Sequence, residues 1–452
     1  MFFHPKLARY ERVFYTTAMK RRNFPSTMLV AIVLASLLIA TVTGCATSGV
    51  SGTGSIPAAL VPSEIDTPRI ADFKFFCTEL PKRHRDLFSQ TPSETYYRTC
   101  ERLLPAVEHM TETEFFFALR ELAALAGDSH TMVGMSPRIL AEIKAIPVQL
   151  QSMDGVWTIM VAEASNADIL GATVLTVNGI PMEEVVAGAS KLVSHDNETW
   201  MRLQVAQLLN IVDTYVYLGI AENGDEDLRM TVVRHHGELP EEVRFTPIPR
   251  EEFHELDMAS WVSTLPPTGQ SSDLYRALTI ADDVLFVQYN ACRSWDAMPI
   301  EVFTARVLDF IKEQRPKKII VDLRYNGGGD SRLFEPMIDG LREQQRQQGF
   351  SIDVLIGEGT FSSALLNAIQ LKRRTDSRLV GTPTGGSANH FGEVKYLVLP
   401  NSGIRATYST KFFTMDGTSK GGSLEPDIIA KTNLEDLAAG IDTQVAAALL
   451  DK

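Results

Sequence analysis

From about residue 275 onward the sequence alternates short apolar runs with amphipathic stretches, and that alternation leaves few folds open. "VLFVQYN", "KKIIVDL", "IDVLIG" and "SRLVGT" read as strands. Between them, "PIEVFTARVLDFIKEQ", "SRLFEPMIDGLREQQRQ" and "SALLNAIQLKRR" carry helical spacing. Strands alternating with helices of this length predict a parallel sheet with crossover helices, an α/β fold. Such crossovers are right-handed in nearly all cases, so successive strand ends fall on one edge of the sheet. That edge is predicted to carry three loops, "RYNGGGD", "GEGTFSSA" and "GTPTGGSAN". Ligands of α/β sheets bind there.

The first of these loops holds three consecutive glycines, Gly327 to Gly329. A glycine run costs backbone entropy and is kept where a side chain cannot be allowed. A P-loop needs Lys followed by Ser or Thr after its glycines, and here Asp330 and Ser331 follow. No GxGxxG stands at a strand end either, so neither phosphate reading fits. Asp330 is placed to cap the helix after the glycines, and the next helix begins within "TFSSALL". A helix start offers free N–H groups and partial positive charge. Ser362 stands at such a start, where a carbonyl oxygen under attack can reach backbone N–H groups as in an oxyanion hole. From the residues alone, Ser362 and Ser363 fit an ordinary helix cap as well.

A serine nucleophile needs a base, and nine histidines are available. His130, in "LAGDSHTMVG", follows the last predicted amino-terminal helix, and His390, in "GSANHFGE", lies on the loop-bearing edge. The other histidines lie in the leader or in polar, solvated stretches.

Four segments precede this α/β region. Residues 1–45 read as a signal peptide: Lys20, Arg21 and Arg22, then a mostly apolar run from Met28 to Val42, then "TGC". The run is shorter than the roughly 20 residues of a membrane span. Residues 46–65, rich in Gly, Ser, Ala and Thr, read as a flexible tether. Residues 66–135 are predicted helical, with Thr111 and Glu114 in capping-box spacing. Residues 140–262 are β-rich, broken by "DG", "NG" and "HHG" turns, with a helical stretch near 197–211. Residues 436–452 close the chain as a helix. Net charge is −13 without a basic run outside the leader, which argues against a nucleic-acid partner. Of the cysteines after Cys45, no pair has metal-ligand spacing, so no metal or cofactor is expected. Cys77 and Cys100 fall on successive predicted helices, as a disulfide or as two buried thiols.

Taken in order, "IIVDLRYNGGGDS", "VLIGEGTFSSALLNA", "LVGTPTGGSANHFGEV" and "LEPDI" resemble the S41 serine peptidases, the tail-specific or carboxyl-terminal processing proteases with their tricorn-like and retinoid-binding-protein-like branches. The resemblance spans about 275 to 435 and extends more weakly over 66 to 130. It implies a ClpP/crotonase-like catalytic core over 275–435, with Ser362 as nucleophile and the N–H groups of Ser363 and Gly328 as oxyanion hole. Processing proteases place a lysine in the third loop, where this chain has Ser387. Tricorn-like members use a histidine in a "D-G/S-H" segment, which "GDSHT" matches. The resemblance thus implies His130 as base, Ser129 as supporting hydroxyl, and a late carboxylate, Asp416 or Glu425. The β-rich segment is similar to PDZ-like modules, which bind extended peptides. "VTGC" resembles the lipobox of bacterial lipoproteins, implying a lipidated Cys45, with Met19 as a possible start. The expectation is a lipid-anchored envelope serine peptidase acting on peptide or protein substrates, on the periplasmic face of the outer membrane in a two-membrane bacterium. The alternative is a ligand- or peptide-binding protein that has lost catalysis. Oligomeric state is not legible.

Overall fold

The computed structural model describes residues 11–12, 55–153, 155–234, 239–262, 265–415 and 422–450. Cys45 and Asp416 lie outside the described residues, as do most of the expected signal peptide and the first part of the tether. Contacts divide the chain into two units, one holding Val262–Ala388 and Met415–Lys452, the other reaching to Trp261 and taking in Asn389–Thr414.

The first unit is built on the predicted sheet. Val284–Tyr289, Lys318–Asp322, Ser351–Ile356 and Ser377–Gly381 lie side by side in parallel, in chain order, with Ile428–Ile429 beyond them. Tyr275–Ala281 pairs antiparallel with the first of these, and a two-residue strand, Glu11–Arg12, borders it. The central strands are buried along nearly their whole length, as strands covered on both faces must be. Alternate side chains serve the two faces. Leu285, Val287, Ile319, Val321, Ile352 and Val354 pack with apolar residues of the helices Ile300–Gln314, Glu335–Gln348 and Ser363–Arg374. Phe286, Ile320, Leu355 and Val380 face the other way, onto Val445 and Ala448 of the closing helix Thr443–Leu449.

That closing helix is also fastened by charge. Arg324, just past the strand Lys318–Asp322, is buried between two carboxylates. It donates to Asp322 Oδ1 and Oδ2 at 2.8 and 2.9 Å, and to Asp442 Oδ1 and Oδ2 at 2.8 and 2.9 Å. Asp442 also caps the helix through the Val445 N–H. Removing one partner from a buried ion pair strands the other charge, at a cost of about 3–5 kcal/mol. Arg324→Ala is therefore expected to lower the urea unfolding free energy by about that amount. A loss under about 1 kcal/mol, the range of a surface pair, would mean the cluster contributes little.

The second unit joins the predicted helical and β-rich regions. Thr111 and Glu114 form the anticipated capping box on the helix Glu112–Ala124. Pro68–Arg83 and Ser93–Leu103 precede it, and Cys77 and Cys100 face inward from them as buried thiols without a disulfide. The antiparallel sheet runs in the order Met258–Ser260, Val156–Glu163, Thr173–Val177, Leu228–Val233, Glu241–Phe245, with Val148–Met153 also paired to Val156–Glu163. The helices Met182–Ser190, Glu198–Leu208 and Val212–Tyr217 interrupt it in sequence.

A long hairpin from far along the chain, Asn389–Val398 with Arg405–Thr414, belongs to this unit. Leu397, Leu399, Ile404 and Ala406 join the same core as Phe73, Phe76 and Phe116. Its turn is held by the buried Asp72, which accepts from the Asn401 and Ser402 N–H groups at 2.9 and 2.7 Å. Among the described residues, no helix is long and apolar enough to cross a membrane.

Candidate active site

Ser362 sits where the strand Ser351–Ile356 turns into the helix Ser363–Arg374. Its backbone has φ 52° and ψ −123°, a conformation that costs an L-residue on the order of 1–3 kcal/mol. The turn before it is lashed to the glycine loop. Thr360 Oγ1 donates to Leu323 O at 2.9 Å, and the Phe361 N–H to Asn326 O at 3.0 Å. The third loop joins them, its Gly386 N–H reaching Thr360 O at 2.9 Å. The three predicted loops do meet on one edge. Ser362 makes no side-chain cap to its helix, so the strain does not serve a cap. Strand, strained serine and helix follow one another in a tight turn at the sheet edge.

The glycine turn packs against this serine. A Cβ added to Gly328 (φ 106°) would lie 2.8 Å from Ser362 Cβ and 3.0 Å from Ser363 N. The Gly328 N–H, expected as an oxyanion donor, instead donates to Asn326 Oδ1 at 2.9 Å. Asn326 is fixed in turn by donating from Nδ2 to Tyr289 O at 2.9 Å. On the other side, Cys292 N donates to Gly328 O at 3.0 Å and Asp330 N to Cys292 O at 2.8 Å. In such a parallel bridge the N–H and C=O of the intervening Gly329 turn away from Cys292. The Gly329 carbonyl accepts from Ser363 Oγ at 2.6 Å, so this carbonyl faces the start of the helix Ser363–Arg374. The Gly328 N–H is thus engaged by Asn326, and the Gly329 backbone lies at the start of the helix Ser363–Arg374. Its neighbour on the helix is the Ser363 N–H, which a helix leaves without an intrahelical acceptor. Asp330 caps the next turn as expected, accepting from the Arg332 N–H at 3.0 Å.

His130 lies in the second unit, beside a buried carboxylate. Asp128 accepts from His84 Nε2 at 3.0 Å, Thr131 Oγ1 at 2.6 Å, Ser409 Oγ at 2.7 Å and the His130 N–H at 2.9 Å. His130 Nδ1 is 3.7 Å from Asp128 Oδ1. Burial by itself raises the Asp128 carboxyl, but the hydrogen bonds from His130 and His84 outweigh it and hold it well below the usual carboxylate range. The His130 carbonyl accepts from Thr407 Oγ1 of the hairpin at 2.7 Å. His390 stacks on the His130 ring, centroids 5.5 Å apart and planes 21° from parallel, and Phe413 stacks beyond His390.

The other anticipated residues are dispersed. Ser129 is buried and donates to Asp196 Oδ1 at 2.8 Å, bracing a neighbouring loop. Glu425 is exposed in the first unit. Ser387, in the place of the processing-protease lysine, is buried. Lys372 pairs with Asp427 at 2.6 Å. Sequence reasoning passed over Asp128, although it stands within the "GDSHT" segment, because a late carboxylate was sought. Among the described residues no group of His, Cys, Asp and Glu could hold a metal ion.

The stack offers a clean separation of the two histidines. His390→Phe keeps a flat ring on His130 but removes a titratable group, so turnover is expected within a few-fold of the parent. A dead His390→Phe enzyme with a parent-like melting temperature would instead make His390 the base.

No family model and no curated protein matches the sequence. Solved structures do match. Mature CPAF complexed with lactacystin aligns at TM-score 0.60 and 16% identity, over 82% of this chain and 95% of that one. A CPAF S499A mutant aligns at TM-score 0.58 and 15% identity, over 82% and 94%. The photosystem II D1 C-terminal processing protease aligns at 0.40 and 14%, over 84% and 99%. The likeness to mature CPAF, at this low identity, is one of fold.

Proposed function

We propose that the chain is a serine peptidase in which Ser362 attacks the scissile carbonyl and His130 takes its proton. The observation that carries this reading is the strained Ser362 backbone beside a glycine turn that leaves no room for a side chain. Strain at a non-glycine residue is retained where function needs it. The tetrahedral intermediate would place its oxyanion against the Ser363 and Gly329 N–H groups. His130 then gives the proton to the leaving amine, and water releases the acyl group from Ser362.

A fluorophosphonate probe tests this directly. Labelling of the parent protein and none of Ser362→Ala supports the hydrolase. No labelling of a folded parent would favour the alternative, a binding protein on the same fold. Lactacystin, with which mature CPAF was solved, is a second compound to test for binding that Ser362→Ala abolishes. Cleavage of a peptide library, against simple esters, separates peptidase from esterase.

The amino-terminal segment adds a place of action to the proposal. Cys45 carries lipid and anchors the enzyme in the cell envelope, with more than one acyl chain for stable attachment. Mass spectrometry is expected to find a lipid-modified amino terminus at Cys45, and an unmodified one there would remove the anchor.

A further inference from the structure

We propose that Asp128 is the carboxylate that positions His130, and that the two histidines bound to it hold opposite tautomers. The proposal rests on reading His130 as the base for Ser362.

The two carboxylate oxygens are used differently. Oδ2 takes three donors, His84 Nε2, Thr131 Oγ1 and Ser409 Oγ, and is the anchored end. Oδ1 takes the His130 N–H and stands nearest to His130 Nδ1. His84 Nδ1 accepts from the Asp86 N–H at 3.0 Å, so that nitrogen carries no proton. The ring proton of His84 therefore sits on Nε2, where Asp128 needs a donor. Among the described residues, no Lys or Arg pairs with Asp128. A neutral amide at 128 would serve most of these contacts, so a carboxylate buried here has one distinctive use. It meets a positive charge that forms on His130 during the reaction.

Facing Oδ1, neutral His130 carries its proton on Nδ1 and keeps the Nε2 lone pair to receive the serine proton. The long Oδ1–Nδ1 separation is of the kind that tightens when substrate binds. Asp128 touches neither substrate nor the reacting atoms in this scheme, and is a positioning residue.

Two measurements on the full chain test this. In the parent protein, labelled at the histidine ring nitrogens, NMR should show neutral His130 as the Nδ1–H form and His84 as the Nε2–H form. Finding both as Nε2–H overturns the proposal, without any variant that must fold. The second is Asp128→Asn, expected to lower kcat by up to about 10⁴-fold with KM little changed. It should slow fluorophosphonate labelling of Ser362 similarly. A folded Asp128→Asn protein with parent kcat, in a background where His130→Ala is inactive, also overturns it. If instead the parent does not label at Ser362, the peptidase reading fails, and the tautomer measurement still decides whether Asp128 holds His130. Should Asp128→Asn not fold, that measurement decides alone.

Discussion

His130→Ala is expected to lower turnover by about a millionfold, Ser362→Ala by a similar factor, and the double variant by no more than either alone. A serine hydroxyl is a poor nucleophile at neutral pH unless a base removes its proton as the bond forms. Nucleophile and base therefore act as one device, and removing either removes the gain of both. What persists after their loss is the catalysis of the oxyanion donors and of substrate binding. Lys372, engaged with Asp427, and the exposed Lys395 offer contrast, since their replacement by Ala should change turnover only a few-fold. Steady-state kinetics on a cleaved peptide, with melting temperatures for each variant, decides the matter. An active His130→Ala enzyme, or a dead Lys372→Ala enzyme that folds, would reassign the base.

The glycine turn should give the second large effect. Gly328→Ala places a methyl group 2.8 Å from Ser362 Cβ, at a φ of 106° that L-residues rarely adopt. The turn must shift, and with it the Gly329 N–H that follows in the chain. Loss of one oxyanion donor costs about 2.7–4 kcal/mol of transition-state stabilisation, on the order of a hundredfold to a thousandfold in kcat. Some folding stability goes too, roughly 1–3 kcal/mol for the strained backbone. The diagnostic is the split between them: labelling and turnover collapse at temperatures where circular dichroism shows a folded protein. Turnover at the parent rate would leave the glycines as a tight connection and nothing more.

Much of the first unit was legible because its strands and helices are local in sequence and strongly patterned. The run Ser363–Arg374 was read residue for residue, and parallel pairing followed from the crossovers. What escaped depends on contacts between distant residues. The strands of the hairpin Asn389–Thr414 have mixed burial, and nothing in "NHFGEVKYLV" announces that it packs with helices some 300 residues earlier. Asp128 escaped for a similar reason. Its sequence neighbours mark a turn, while its meaning comes from His84 and Ser409, reached only by folding. At the glycine turn, Asn326 captures the N–H of Gly328 two residues on, a local competition that side-chain amides readily win.

The late arrival of that hairpin orders events while the protein is being made. Ser362 leaves the ribosome about 50 residues before the hairpin is complete. At 5–20 residues per second that is a lag of roughly 3–10 s. During it the nascent chain already has Ser362, but Asp128 lacks Ser409 and His130 lacks the Thr407 hydroxyl on its carbonyl. A prematurely terminated chain stays in the same condition permanently. The threading of the polypeptide thus makes the surroundings of Asp128 and His130 complete only after the hairpin has been synthesised, however early their own segment emerges.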